Sequence, residues 1–420
     1  MLIILMISKN EVNLLVEGRN KVARVMLIAG GRWQVDLAKK IKEMGHWVLC
    51  TNLYENSPAF RYSDACEIVD IKDKEKNLKI AKKWCVDAVL SDQSDLAIPT
   101  VAYIAEKMKL PGIGTEIADI CTDKSVMRRF CKKNNVMIPD FTTCISVVKA
   151  KQMLQKYGKI VIKPIDSQSA RGVFIIDNVE DLERVFPIAM SYSNRRKEIL
   201  AEEYIGGTEF TIDGLVVNGT HFPLCISYKD MHKKNSSVSM TQTYSYYSNT
   251  YDYDKLRRLN KNLVEKIGIP FGLTHTEYRF YNGNYYLLEI AARGGGSNLA
   301  SKIVPYMSGI DNYSYLIKSA LGEKTNDDEL KTINPCDEKF AIMQFFDFGS
   351  GKIREIKGVN RLKESRFLLD YNINASVGDF IEEPKFGSMR PGHFTIAGNN
   401  LKELVDEKNI LLREVIVELE

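Results

Sequence analysis

Apolar and polar positions along the first hundred residues alternate between unbroken apolar runs and runs spaced three and four apart. Val25-Met26-Leu27-Ile28-Ala29 is continuous, Gly30-Gly31 turns the chain, and Leu37, Ile41 and Met44 then recur at helical spacing. A second apolar run, Trp47-Val48-Leu49-Cys50, follows Gly45, and Asp87-Ala88-Val89-Leu90 repeats the buried-strand signature after the helical stretch Leu78 to Trp84. Strands buried on both faces and separated by helices are βαβ units, so residues 22–121 are expected to form a doubly wound parallel-sheet domain behind an N-terminal extension, 1–21. The Gly30-Gly31 turn does not complete G-x-G-x-x-G, because Arg32, Trp33, Gln34 and Val35 follow. That argues against a dinucleotide fingerprint.

From 122 to 209 the pattern changes. Strand-like Lys159 to Lys163 leads into a polar loop, Asp166 to Gly172, and out through Val173-Phe174-Ile175-Ile176. A polar connection between paired strands is suited to covering phosphates with backbone N–H groups and hydroxyls, and equally describes an ordinary hairpin loop. Ile199 to Phe210 then gives an apolar approach, a Gly206-Gly207 turn and a new strand. Residues 210–330 hold two alternating strands, Thr274 to Phe280 and Tyr285 to Arg293, joined by Asn282-Gly283-Asn284. So short a turn predicts pairing, which sets Glu277 beside Glu289. Two like charges facing each other are destabilising without a cation, so a magnesium site holding a phosphate is the reading preferred over surface carboxylates. Lys229 to Asn249, rich in Ser, Tyr, Lys and Asn, is expected to be a long loop. Residues 331–420 begin strand-like at Phe340 and are expected to form a small β-rich C-terminal subdomain.

Composition changes this picture little. A chain of 420 residues, 45% of them hydrophobic, implies several compact units. The +4 formal charge, from 58 basic and 54 acidic residues well mixed along the chain, gives no electrostatic case for nucleic acid. Eight cysteines without a C-x-x-C pair argue against a zinc ribbon or disulfide scaffold and for reduced thiols. Met1 to Ile7 is apolar but too short to span a bilayer and unlike a signal peptide, so a soluble cytoplasmic protein without membrane partners is expected.

The order of features resembles the ATP-grasp superfamily of carboxylate–amine ligases. The features are Lys124 opening a helix after the βαβ domain, Lys163-Pro164 ending a strand, the small-residue loop, Glu202-Glu203-Tyr204-Ile205 with Glu209, then Glu277, then Glu289 with Arg293. The resemblance implies an α/β ATP-grasp fold with a central two-subdomain unit. It implies that Lys124 and Lys163 reach the α- and β-phosphates of ATP, with Ser169 and Gly172 in the covering loop. It also implies that backbone groups of Glu202 to Ile205, those of Glu203 and Ile205 above all, read the adenine edge and that Glu209 receives the ribose. Glu277 and Glu289 become ligands of Mg2+, for which Mn2+ can substitute, and Arg293 the catalytic cation. Gly294 to Gly296 let the backbone approach the substrate, and His275, Gly295 and Asn298 are candidate substrate contacts.

The chain departs from the family pattern at Ala291, where Glu-x-Asn-x-Arg supplies a further magnesium ligand, and in a loop whose only glycine is Gly172. Water can fill the vacant coordination position, Asn298 is a candidate to compensate, and a stiffer loop is expected. His275-x-Glu277 followed by Glu289-Ile290-Ala291-Ala292-Arg293-Gly294-Gly295 is similar to the L-amino-acid ligase and biotin-carboxylase-like branch. The implied reaction joins a small carboxylic acid, such as an amino acid, to an amine through an acyl phosphate, releasing ADP and phosphate, in a possible homodimer. Two alternatives stand beside it: a ligase using bicarbonate or formate, and a catalytically impaired nucleotide-binding regulator. Tyr244, Tyr246, Tyr247 and Tyr251 hint at an apolar or ring-bearing acceptor.

Overall fold

The computed structural model describes residues 22–193, 195–235, 237–331 and 338–420. The N-terminal extension and Cys336 lie outside the described residues. The apolar runs of the first segment become β1 (Arg24–Ile28), β2 (Trp47–Asn52), β3 (Ala65–Ile68) and β4 (Ala88–Leu90). They form a parallel sheet in the order β3-β2-β1-β4. Helices cover both faces: Leu37 and Ile41 from Val35–Glu43 pack on one, Leu78 and Ala81 from Lys74–Lys83 on the other. Burial of strand residues on both sides is why these runs lack a polar alternate.

A second, antiparallel sheet contains β5 (Phe141–Cys144), β6 (Ile160–Pro164), β7 (Phe174–Ile176) and β8 (Ile199–Glu203), ordered β5-β8-β6-β7. Its core closes against the helices Val147–Tyr157 and Val179–Ser191. The Gly206-Gly207 turn leads out of this sheet. Gly207 has φ of 84°, and a Cβ there would lie 2.1 Å from the Phe280 carbonyl oxygen, so no other residue fits without displacing the backbone.

The third sheet begins with β9 (Thr208–Val217), β10 (Thr220–Met231), β11 (Ser239–Ser245), β12 (Gly272–Tyr281) and β13 (Asn284–Ala291). The expected long loop from Lys229 to Asn249 is therefore about half sheet, with Lys229 to Met231 ending β10 and Ser239 to Ser245 forming β11. Lys229 pairs with Gln242 and Tyr228 with Thr243, leaving a short connection between β10 and β11. Serine, threonine and tyrosine suit a pleated strand when their hydroxyls find partners, as in Thr211 with Ser227 at 2.7 Å and Thr241 with Gln344 at 2.8 Å. Low apolar content concealed that strand.

The C-terminal segment supplies β14 (Phe340–Phe345), β15 (Gly351–Lys357), β16 (Leu368–Ile373), β17 (Phe380–Ile381), β18 (Gly392–Gly398) and β19 (Ile416–Leu419). It is β-rich as expected, yet it is no detached appendage. β14, β18 and β16 continue the third sheet, giving the eight-stranded order β13-β12-β9-β10-β11-β14-β18-β16. The helix Leu401–Glu414 packs Leu404 and Leu411 against it, and β17-β15-β19 form a small separate sheet. Among the described residues no helix is long and apolar enough to cross a membrane.

Two sheets are stitched together through the helix Lys124–Lys133. Asp123 caps its start, accepting from the N–H groups of Ser125 and Val126 at 2.9 and 3.1 Å. From this helix Arg128 donates to Glu202 on β8 at 2.6 Å and to the Leu288 carbonyl on β13 at 3.0 Å. The Arg128 side chain is 0% exposed and that of Glu202 3%. Burial would raise the Glu202 carboxyl, but Arg128 and Lys163 outweigh it and hold it below the usual range, so the buried group is ionised. Arg128→Ala strands that carboxylate with one partner, and denaturant unfolding is expected to register a loss of about 3–5 kcal/mol. An unchanged midpoint and slope would show that the stitch contributes nothing.

Candidate active site

The polar face of the third sheet carries the site, and strand register decides its composition. Glu277 on β12 faces Glu289 on β13, His275 faces Ala291, and on the other side of β12, His275 faces Asp213, Glu277 faces Thr211 and Arg279 faces Glu209. Lys229 on β10 in turn faces Glu209. The alternate residues, Phe210, Ile212 and Tyr278 among them, are buried in the core behind. Alternation thus puts charge on one face and a core on the other. The turn joining the two glutamate strands has Asn282 and Gly283 at φ of 48° and 75°, the left-handed pair a two-residue hairpin needs.

These carboxylates are not left to repel one another. Lys124 Nζ lies 2.9 Å from Glu289 Oε1, and Lys229 Nζ bridges Glu209 Oε1 at 2.7 Å and Glu277 Oε1 at 2.6 Å. Arg279 donates to the other Glu209 oxygen and, at 3.2 Å, to the Ile205 carbonyl. Burial opposes ionisation of Glu277, but Lys229 and His275 overcome it and hold its carboxyl well below the usual range. Burial would depress the Lys229 ammonium, yet Glu209 and Glu277 raise it. Lys229 is a cavity residue that sequence reading passed over, because it sat in a segment assigned to a loop. The strand period would have identified it, since it is separated by an even number of residues from Cys225 and Ser227 on one face.

Arg293 forms a two-pronged ion pair with Asp95, Nε to Oδ1 at 2.8 Å and Nη2 to Oδ2 at 2.7 Å, anchoring the end of β13 to the N-terminal domain. His275 Nδ1 lies 2.9 Å from Asp213 Oδ1, and its Nε2 is 3.6 Å from Glu277 Oε1. Gly295 packs onto this pair: a Cβ would lie 3.0 Å from His275 Nδ1 and 3.1 Å from Asp213 Oδ1. Glu209, Lys229, His275, Glu277, Glu289 and Arg293 all line one cavity of about 590 Å³.

The loop after β6 roofs that cavity with Ser169 and Arg171. Ser169 and Ala170 both sit at φ of 59°, a left-handed conformation that each non-glycine residue adopts at a cost of roughly 1–2 kcal/mol. Partners offset that strain. Gly387 N–H donates to the Ser169 carbonyl at 3.1 Å, Arg171 Nη2 to Ser388 Oγ at 3.2 Å, and Lys124 Nζ to the Ser167 carbonyl at 2.7 Å. Gly172, at φ of 72°, lies where a Cβ would come within 2.9 Å of Pro164 and Tyr192.

Other expected site residues are placed differently. Lys163 Nζ points at Glu202 Oε2, 2.6 Å away, and burial together with the Arg128 and Lys124 charges holds its ammonium below the ordinary value. Lys163 and Glu202 therefore pair diagonally across β6 and β8, where Lys163 is in register with Leu200 and Glu202 with Val161, and neither lines the cavity. The side chain of Glu203 accepts from Asp140 N–H at 3.4 Å, and the ring of Tyr204 lies under Lys159 Nζ at 4.6 Å. Glu209 reaches the cavity, but both of its oxygens are engaged by Lys229 and Arg279, so a ribose would have to share or displace those bonds. Asn298 gives a correction: its amide nitrogen donates to Asp370 Oδ2 at 2.9 Å, tying it to β16 and not to the two glutamates. None of Tyr244, Tyr246, Tyr247 and Tyr251 is among the residues lining the cavity. Tyr244 is fully buried and bonded to Gln242 Oε1 at 2.6 Å, and Tyr251 packs edge-on against Phe210 and Phe280.

The donor set suits a hard divalent cation. Glu277 and Glu289 each have one oxygen engaged by a lysine and a second without a hydrogen bond among the described residues, and both border the cavity. Among the described residues no group of three or more His, Cys, Asp or Glu gathers in ligand geometry, and Ala291 adds no oxygen. Two carboxylates with water and phosphate oxygens completing the shell is how magnesium is commonly held.

Comparison with known proteins agrees with this fold. Residues 157–301 match the model of the ATP-grasp domain. The alanine–anticapsin ligase of Bacillus subtilis is 26% identical over 255 residues, which cover 54% of this chain and 53% of that one. The chain thus spans about half the length of that relative. A formate-dependent phosphoribosylglycinamide formyltransferase of Psychromonas ingrahamii is 22% identical over 406 residues, 94% of this chain and 96% of that one. The crystal structure of an L-amino acid ligase from Bacillus licheniformis superposes with a TM-score of 0.80 at 22% identity, covering 96% of this chain and 100% of that one. The family match spans the strands that carry Glu277 and Glu289, so the segment that builds the site is similar to the ATP-grasp domain.

Proposed function

We propose that the protein is an ATP-dependent carboxylate–amine ligase acting on a small carboxylic acid such as an amino acid. The observation that carries this reading is the cross-strand pair Glu277 and Glu289, each backed by a lysine, at the edge of a cavity that Arg293 shares. A bound magnesium ion would supply charge neutralisation at the β- and γ-phosphates. A carboxylate oxygen of the acid attacks the γ-phosphorus, the bond to ADP breaks, and an acyl phosphate results. The amine then attacks the acyl carbon, the bond to phosphate breaks, and the amine loses a proton as the amide forms. Arg293, fixed by Asp95, holds positive charge where the phosphoryl and acyl oxygens gain negative charge. Lys124 and Lys229 offset the carboxylates, and the loop at Ser169 and Gly172 keeps water from the acyl phosphate.

A second reading, with formate or bicarbonate as the acid, is favoured by the long match to the formate-dependent enzyme. An ADP-release screen of acids against amines separates the two. Response to amino acids supports the first, and dependence on formate or bicarbonate alone supports the second. Glu289→Ala is expected to lower substrate-dependent ADP release by about 10²–10³-fold while the protein stays folded. Undiminished turnover would remove the pair from the reaction.

His275 generates a pH expectation. Burial would lower its imidazolium, but Asp213 and, more weakly, Glu277 raise it to about 9, so the ring is charged at neutral pH. A raised folded value means its stabilising contribution is complete below the unfolded value and is lost as pH rises through the folded one. Relative to His275→Gln, the native protein should lose up to about 3 kcal/mol between roughly pH 6.5 and 9. Urea unfolding across that range measures it, and parallel curves for both proteins would refute the assignment.

A further inference from the structure

The cavity's charges are divided between its two ends. Its four lining carboxylates, Asp95, Glu209, Glu277 and Glu289, belong to the end already described. The C-terminal segment brings Arg390 and no carboxylate to the cavity lining, and Arg32 from the N-terminal domain and Arg171 from the loop after β6 join it there through Asn374 and Ser388. Arg390 is the central member. Its guanidinium lies 3.3 Å over the Phe345 ring, and it donates from Nε to the Gly387 carbonyl at 2.7 Å and from Nη1 to the Ser239 carbonyl at 2.6 Å. Neutral carbonyls and an aromatic face fix its direction without neutralising it, and Nη2 has no hydrogen-bond partner among the described residues. Burial without a countercharge lowers the guanidinium to about 9, a cost that a bound anion removes.

The other two arginines converge on the same turn. Arg171 donates to Ser388, two residues from Arg390. Arg32 donates to Asn374 Oδ1 at 3.0 Å, and Asn374 N–H donates to the Pro391 carbonyl at 2.7 Å. A planar, pre-oriented guanidinium with flanking cations is suited to a carboxylate or phosphate monoester. We propose that Arg390, flanked by Arg32 and Arg171, anchors an anionic group that one of the two joined substrates carries away from its reacting centre. The enzyme would thereby select substrates bearing a second carboxylate or a phosphate over neutral-ended analogues. This assignment rests on the ligase reading for the identity of the bound molecule, but its test does not require turnover.

Calorimetric titration of the full chain, preloaded with Mg2+ and a non-hydrolysable ATP analogue, tests it with two matched pairs: O-phospho-L-serine against L-serine, and succinate against succinamate. In the native protein the more anionic member of at least one pair is expected to bind about tenfold tighter or more, and which pair responds distinguishes phosphate from carboxylate. Arg390→Gln should abolish that preference, with Arg390→Lys and Arg32→Gln retaining part of it and thermal melting certifying each fold. If Arg390→Gln fails to fold, a reduced preference in the other two variants carries the test. Nucleotide affinity should change less than about twofold, since the anchor lies outside the glutamate end. Equal binding of both members of each pair to the native protein would overturn the proposal, as would a preference undiminished in the variants. A parallel fall in nucleotide affinity would also overturn it, placing Arg390 with the nucleotide. Failure of the native chain to bind the nucleotide at all would instead count against the ligase reading, with the probe titrations repeated on the nucleotide-free protein still deciding the anchor.

Discussion

Everything at the glutamate end depends on one constraint: two carboxylates held opposite each other on adjacent antiparallel strands. Left alone, Glu277 and Glu289 would push β12 and β13 apart. The fold answers with cations brought from elsewhere, Lys229 from β10 and Lys124 from the helix that bridges two sheets. Both lysines engage Oε1 and leave the second oxygen of each glutamate without a hydrogen bond among the described residues. The same compensation therefore steadies the strands and leaves ligand capacity for a divalent ion.

That arrangement couples the sheets. Lys124 touches both Glu289 and the carbonyl of Ser167, so the carboxylate pair and the loop after β6 share one ammonium. Arg279 joins Glu209 to the Ile205 carbonyl, and Arg128 joins Glu202 to β13. Truncating any of these leaves a buried charge with fewer partners, which is costlier than the intact pair is favourable. Precision at the site and cohesion between sheets are thus carried by the same side chains.

Much of this was legible in the sequence because it rests on local rules. Continuous apolar runs marked β1, β2 and β4, and the short Asn282-Gly283-Asn284 turn fixed the register that sets Glu277 against Glu289. What escaped was of two kinds. The β10 and β11 strands were hidden because their pairing relies on buried hydroxyls and a lysine, residues whose types alone suggest a loop. Asp95, Asp213 and Lys229 escaped because their value comes from partners far along the chain, such as Asp95 with Arg293, 198 positions away. Periodicity carries no information about such pairs. Asn298 was misjudged for the related reason that proximity in sequence to Arg293 does not set direction, and its left-handed backbone, φ 59°, turns it toward Asp370.

The C-terminal segment shows how a scaffold can distribute two tasks over one sheet. By extending the eight-stranded sheet, β14, β18 and β16 carry a second group of side chains to the cavity without a flexible joint between the ends. Acidic residues, each with a cation, gather where a metal and phosphate would sit. Arginines held by carbonyls, a hydroxyl and aromatic rings gather at the other end. A charge satisfied by an ion pair is structurally complete, whereas one oriented by neutral groups retains most of its field. The glutamate end therefore keeps its shape by internal pairing, while the arginine end keeps unspent charge facing the cavity.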